Sequence, residues 1–264
     1  LAASVLNTLN GNTTGNINAD TVTTLTGSIT DLNTAYTASA TTGDGISNLG
    51  NEAITLSDTS VTDISALTTL NSNTTGNINA DTVSSFTGSI SDLNTMFAAK
   101  AASGDGISFS SSSGAADQAV EITDATVLAV DLKTLNSNTT GQVDASTLSV
   151  IEGTAADANL LYDGKDSATG FTGIGDEAIT LTDTTVTAAA LMDLYSSDGT
   201  SGIIDATTVH TITGTAGDAN TIYSQTSTFT GLGTENITIS GETNNSLAAS
   251  VLNTLNGNTT GNIN

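Results

Sequence analysis

Chemistry needs titratable, nucleophilic or metal-ligating side chains brought together, and this chain offers few kinds of them. It has one histidine, no cysteine and three basic residues (Lys100, Lys133 and Lys165) against 27 carboxylates, for a formal charge of −24. A histidine base or ligand requires partners that recur with it. His210 lies in TVHTIT (208–213), where sister segments carry Thr24, Ser85 and Val150 or a neighbour of these, so it reads as a substituted surface position. Without cysteine there is no disulfide framework, thiolate metal site or thiol nucleophile. With three lysines and no arginine, nucleic-acid or anionic-membrane binding has no electrostatic basis.

The carboxylates form the larger question. Asp58, Asp124 and Asp183 fall at equivalent positions of repeated segments, and Asp144 and Asp205 match Asn18 and Asn79. Carboxylates stacked about 5 Å apart would repel, and Ca²⁺ could hold them. The plainer role is a turn, with Asx side chains satisfying local backbone groups. The calcium-solenoid nonapeptide GGxGxDxUx is absent. Turn chemistry is therefore the expectation, and structural Ca²⁺ is the one cofactor for which the pattern leaves room. Asn33, Asn94, Asn159 and Asn220 recur in every unit, which suggests an Asn ladder or bonds to a neighbouring backbone. TGDGIS (42–47) and SGDGIS (103–108) lack the lysine and the strand–loop–helix context of a phosphate loop and read as glycine turns. Asn12 and Asn73 head Asn-x-Thr sequons, which matter only in a host that glycosylates them. No catalytic, cofactor-binding or metal residue is assigned, and the chain is not expected to be an enzyme.

What must position these side chains is a repeat array. Residues 1–18, LAASVLNTLNGNTTGNIN, recur unchanged at 247–264, an offset of 246. Inside that period Gly15, Gly76, Gly141, Gly202 and Gly261 stand 61, 65, 61 and 59 residues apart. Two further anchors recur: LTGSITDLNTAY (25–36), FTGSISDLNTMF (86–97), IEGTAADANLLY (151–162) and ITGTAGDANTIY (212–223), then NEAITLSDT (51–59), DQAVEITDA (117–125), DEAITLTDT (176–184) and ENITISGET (235–243). The units are 1–60, 61–126, 127–185 and 186–246, with 247–264 beginning the next period. The second is lengthened by Ser108-Phe109 and Ser110 to Ser113, as a surface loop would be. The whole is expected to form a single continuous array without a hinge, cut from a longer one.

A capping box opens a helix in every unit, at Ser28/Asp31, Ser89/Asp92, Thr154/Asp157 and Thr215/Asp218. Apolar residues follow at i, i+3 and i+4, ending in Tyr36, Phe97, Tyr162 and Tyr223, which should form one column that seals the core. A weaker helix is VTAAALMDL (186–194) with its relatives. TVTTLT (21–26), TVSSFT (82–87), TLSVIE (147–152), TVHTIT (208–213), AITLS (53–57) and AITLT (178–182) read as strands. Ile17, Ile54 and Ile78 should then stack, 37 and 24 residues apart. The predicted fold is a parallel β-solenoid with short helices, two coils per unit, whose coils bury an apolar face only by stacking.

The phrases IEGTAADANLLY (151–162), ITLTDTTVTAAAL (179–191) and LNSNTTG (70–76 and 135–141), with VDAST (143–147), resemble the giant repetitive cell-surface proteins of marine picocyanobacteria. The resemblance spans essentially the whole chain. It implies an exported, surface-associated, very long polypeptide with a structural or motility-related role, and transfers no catalytic residue. Together these readings make the chain an extracellular or cell-surface filament or shaft. Its expected partners are copies of itself, end to end or side by side, with no nucleic acid and no membrane span in this segment. The alternative is an adhesin or ice-binding module presenting rows such as Thr21, Thr23 and Thr24, but TVTTLT becomes TLSVIE in the third unit.

Overall fold

The computed structural model describes residues 1–39, 45–100, 104–109, 117–165, 169–196, 199–242 and 246–264. Among them are nine helices: α1 Ala3–Gly11, α2 Ile29–Ser39, α3 Ile64–Asn73, α4 Ile90–Ala98, α5 Ala129–Asn138, α6 Ala155–Asp163, α7 Ala188–Tyr195, α8 Ala216–Ser224 and α9 Ala249–Asn258. Short strands alternate with them, and every recorded strand pair is parallel. The fold is thus a parallel α/β arrangement of several sheets. Two compact units divide the chain. The first comprises Leu1–Thr123, Thr134–Asp144 and Ala168–Gly170, and the second Asp124–Lys133, Ala145–Ser167 and Phe171–Asn264.

In the first unit, Thr24–Gly27, Ala53–Leu56, Asn77–Asn79 and Gly106–Ser108 form one sheet in that order. Its register aligns Leu25, Ile54, Ile78 and Ile107, all buried, in one apolar column. Ser60–Val61, Ser85–Gly88, Ala119–Ile122 and Val143–Asp144 build a second, aligning Val61, Phe86, Val120 and Val143. Ile17–Asn18 pairs with Ile46–Ser47. In the second unit, Thr126–Leu128, Val150–Gly153, Ala178–Leu181, Ile204–Asp205 and Phe229–Thr230 align Val127, Ile151, Ile179, Ile204 and Phe229. Thr185–Thr187, Thr211–Gly214 and Asn236–Ile239 align Val186, Ile212 and Ile237.

The order within a sheet is the same everywhere. A strand that opens a weaker helix comes first, then one that leads into a capping box, then the AITL type, then the strand after the TTG turn, then the strand after a capping-box helix. One correction follows. Ile17 pairs with Ile46, and it is Leu25 that pairs with Ile54, although Ile54 does pair with Ile78. Neighbours in the first column stand 29, 24 and 29 residues apart, so the 37 residues from Ile17 to Ile54 are more than one return of the chain requires. The strands read from TVTTLT and its relatives also begin late, at Thr24, Ser85, Val150 and Thr211. Their first residues close a tight turn instead, in which Val22, Val83, Leu148 and Val209 donate to the carbonyls of Ala19, Ala80, Ala145 and Ala206.

The four capping-box helices begin where the hydroxyls predict. Ser28, Ser89, Thr154 and Thr215 accept the backbone N–H of Asp31, Asp92, Asp157 and Asp218 at 3.0–3.2 Å. Leu32, Ala35 and Tyr36, and Leu93, Met96 and Phe97, are buried, as are Ala158, Leu161 and Tyr162. In the fourth helix Ala219 and Ile222 are buried, and Tyr223 is half-buried. The expected aromatic column does not form. Helix α3 packs against both α2 and α4, and α7 against both α6 and α8, so the capping-box helices alternate with the others.

The identical ends fold alike: α1 starts at Ala3 and α9 at Ala249, after Ala2 (φ −74°, ψ 133°) and Ala248 (φ −70°, ψ 134°). Thr154→Ala removes a cap whose hydroxyl serves a helix of nine residues and should cost about 1 kcal/mol in urea unfolding.

Candidate functional site

The recurring polar site is a buried clamp built from the NTTG turn and the start of the AITL strand. Thr74 donates its hydroxyl to the Glu52 carbonyl at 2.8 Å and accepts the Gly76 N–H at 2.9 Å. Thr200 and Thr259 repeat the bond to the Glu177 and Glu235 carbonyls at 2.6 and 2.7 Å, and Thr139 reaches that of Gln118 at 3.2 Å. All four threonines are buried. The glycine is required because the turn lies directly on that carbonyl: a Cβ at Gly76, Gly141, Gly202 or Gly261 would sit 2.0–2.2 Å from it.

The side chain of the same residue completes the clamp. Glu52, Glu177 and Glu235 are at most 1% exposed, a costly place for a carboxylate unless it is well bonded. Glu52 Oε2 accepts the Tyr36 O–H and the Gly50 N–H, both at 2.8 Å. Glu177 Oε2 accepts from Tyr162 at 3.2 Å and Gly175 at 2.9 Å, and Glu235 Oε2 from Tyr223 at 2.9 Å and Gly233 at 2.8 Å. The N–H is aimed at the carboxylate by a backbone with φ of 143°, 134° and 125° at Gly50, Gly175 and Gly233, a region that favours glycine. The second sequence repeat, 61–126, replaces both partners together, with Phe97 for tyrosine and Gln118 for glutamate. There Phe97 meets Phe86 edge to face and Phe109 at a tilt, with ring centroids 6.1 and 5.3 Å apart.

This geometry suppresses reactivity. Burial first, and the neighbouring carboxylates in addition, push the phenols of Tyr36, Tyr162 and Tyr223 above the ordinary tyrosine range. The clamp escaped the reading of the sequence, which treated the aromatic and NEAITL anchors separately. The signal was available: tyrosine accompanies glutamate in three repeats, and phenylalanine accompanies glutamine in the second.

The acidic residues singled out from sequence serve elsewhere. Asp58 Oδ2 accepts the Ile29 N–H at 2.9 Å and Asp183 Oδ2 the Ala155 N–H at 2.7 Å, each at the start of a helix 28–29 residues earlier. Glu242 does the same for Ala216 at 2.7 Å. These carboxylates are long-range helix caps rather than local turn residues, placed where the helix dipole favours negative charge. At Asp124 the main-chain carbonyl accepts the Thr147 hydroxyl at 3.0 Å. Asn18, Asn79 and Asp205 take the expected turn role, each accepting the N–H two residues on at 2.9–3.0 Å. Asp144 lies in a strand paired with Ala119–Ile122. Among the described residues no group of three or more His, Asp or Glu side chains is placed to hold a metal ion.

Asn33, Asn159 and Asn220 bond to a neighbouring backbone rather than to each other, and Asn220 also accepts from Asn258 at 2.8 Å. The three donate to the carbonyls of Ala66, Ala190 and Val251 on the following helix at 2.9–3.1 Å, and Asn7 to that of Asp31 at 2.9 Å. Asn94 sits at the same position of α4. Lys133 crosses to Asp157 on the next helix, and with Thr154 it holds that carboxyl below the usual carboxylate range. His210 is exposed, with its main chain bonded to Thr184 and Asn236. Asn12 and Asn73 are exposed at helix ends. Of the two GDGIS loops, Thr42–Asp44, Ser103 and the inserted Ser110 to Ser113 lie outside the described residues, while Gly104 (φ 78°) and Gly106 (φ 126°) supply a turn. Thr82 and Thr208, the counterparts of Thr21, donate to the carbonyls of Leu56 and Leu181 at 2.9 and 2.7 Å. Among the described residues no helix is long and apolar enough to cross a membrane.

Comparison with known proteins finds no matching family model, no matching curated protein and no matching solved structure.

Two outcomes test the clamp. Tyr162→Phe should cost about 1 kcal/mol in urea unfolding. Combined with Glu177→Gln it should cost less than the two singles summed, by about 0.5–3 kcal/mol, because the pair then matches Phe97 and Gln118. The raised phenols favour the protonated form in the folded chain, so their contribution is complete below about pH 10 and is lost as pH rises further. In a spectrophotometric titration Tyr36, Tyr162 and Tyr223 should ionise only together with alkaline unfolding.

Proposed function

We propose that the chain is a structural repeat protein, a segment of a parallel α/β solenoid that serves as an extracellular or cell-surface shaft. The observation that carries this reading is the fourfold clamp, in which a buried threonine and glycine of one segment rest on the strand start of another. The residue types that usually do chemistry are engaged in holding segments together: carboxylates on helix starts, phenols on carboxylates, asparagines on the next helix. Such nearest-neighbour bonding is what a stacked array needs, since each repeat is stable only through its neighbours.

The resemblance to picocyanobacterial surface proteins supports the exterior location, as does the acidic, cysteine-free composition. A charge of −24 is tolerable in saline water, where screening shortens its reach. Partners are then further copies, end to end or side by side. An adhesive threonine face is the weaker reading, because the Thr21 counterparts turn their hydroxyls to backbone carbonyls.

Small-angle scattering of a chain carrying the 246-residue period twice tests the proposal. With eight segments per period rising about 4.8 Å each, the maximum dimension should grow by roughly 40 Å at constant cross-section. Growth in all three dimensions, or two bodies joined by a flexible link, would overturn it.

A further inference from the structure

We propose that the cavity between the C-terminal ends of α8 and α9 is a binding site for an aliphatic primary ammonium group, held where the third repeat lodges a lysine of its own. The cavity lies within the second compact unit, has a volume of about 380 Å³, and is walled by Ile222, Tyr223, Thr226, Phe229, Leu232 and Asn258 among others. That is room for a small ligand. Lys165 follows α6, and a Cβ at Gly175 would stand 3.0 Å from its Nζ and 3.6 Å from its Cε, so the ammonium and its stem lie along that glycine. Gly175 is the residue whose N–H holds Glu177. Its equivalent in the fourth repeat is Gly233, which holds Glu235. There the space is open: among the described residues a Cβ at Gly233 would meet only the Asn258 carbonyl oxygen, 3.9 Å away. The lysine is missing because Thr226 takes its position. Gly164 and Gln225 donate equivalently, to the Leu161 and Ile222 carbonyls, and the residues that follow them are Lys165 and Thr226.

The surroundings suit a cation with a short apolar stem. Glu235 is fully buried, and although its Oε2 accepts from Tyr223 and Gly233, its Oε1 has no donor among the described residues. The same is true of Glu52 Oε1 in the first repeat, which also has no lysine after its helix. Glu177, in the repeat that has the lysine, has both oxygens bonded. Asn258 is the last residue of α9, where unpaired carbonyls and the helix dipole present negative charge. Ile222 and Leu232 offer apolar surface to a methylene stem, and the rings of Tyr223 and Phe229 attract cations as well. An anion finds no basic residue in the wall, and a chain of charge −24 draws cations to such a cleft. The same open geometry recurs well inside the chain. A Cβ at Gly50 would meet the Asn73 carbonyl oxygen at 3.9 Å, and Ser72 and Asn73, the equivalents of Gly257 and Asn258, are exposed.

The test is an NMR titration of the chain with n-butylammonium chloride at about 0.15 M NaCl, where general charge attraction is screened. The amides of Gly231, Gly233 and Asn258 should shift together with a dissociation constant of about 1 mM, and n-butanol, which lacks the charge, should bind at least about tenfold more weakly. Thr226→Lys supplies the lysine of the third repeat and should abolish the shifts; Thr226 is exposed, so the variant keeps its fold. Lys165→Ala vacates the counterpart and should add a second set of shifts, at Gly175. Glu235→Gln, the exchange that the second repeat carries at Gln118, should weaken binding at least about fivefold. Diaminobutane and a lysine-containing peptide distinguish the source: tighter binding of the first identifies a free polyamine, and of the second a lysine side chain of another protein. An amine that leaves Gly233 unshifted in the natural chain would overturn the inference. So would shifts that persist in Thr226→Lys, which would mean that net charge alone holds the amine. Displacement of the amine by about 10 mM CaCl₂ would overturn it too, making the site one for an inorganic cation.

Discussion

The backbone carbonyl at the start of each AITL strand is the point on which the rest of the structure depends. It accepts a threonine hydroxyl from a segment 21–24 residues further on and lies in contact with a glycine of that segment. The contact brings the backbones so close that no side chain fits between them. It fixes where the following strand starts, and hence which isoleucine or valine enters the apolar column. Hydrophobic burial provides most of the stabilisation, but burial alone is indifferent to a slip of two residues. The carbonyl contact is not.

Below that contact sits a carboxylate with almost no solvent exposure, held by one phenol and one glycine N–H. Buried polar groups of this kind are poor sources of net stability but strong sources of definition, because any other arrangement leaves them unbonded. With aromatics at 3% of residues, the core is thin and made of small and β-branched side chains that many packings would suit. The polar network selects among them. The same division of labour appears on the helical side, where asparagines and remote carboxylates tie each helix to another segment rather than to its own.

Local signals were legible in the sequence wherever the partners lie within a few residues. The hydroxyl caps at Ser28, Ser89, Thr154 and Thr215, the buried faces that follow them, and the Asx turns at Asn18, Asn79 and Asp205 are of this kind. The parallel strands and the pairing of Ile54 with Ile78 were legible too. What was not legible depends on which segments come to lie side by side. Asp58 and Asp183 look like turn residues until the helix start 28–29 residues earlier is brought to them. The aromatic column failed for the same reason, since helix type alternates along the row. Ile17 was misassigned because two strands compete to follow it, and only closure of the backbone decides between Ile46 and Ile54.

The fixed strand order within every sheet bears on how such a gene can change. The apolar columns take their members from up to five strand types in one order, and the types recur only once per repeat of about 60 residues. Unequal recombination that adds or removes one whole unit leaves every column with the same succession of neighbours. A crossover displaced by half a unit sets an AITL strand where a post-helix strand belongs, and the TTG glycine then loses the carbonyl on which it rests. Copy number can therefore drift freely in whole units, while the phase of the repeat is held by physics, without any need for the units to keep identical sequences.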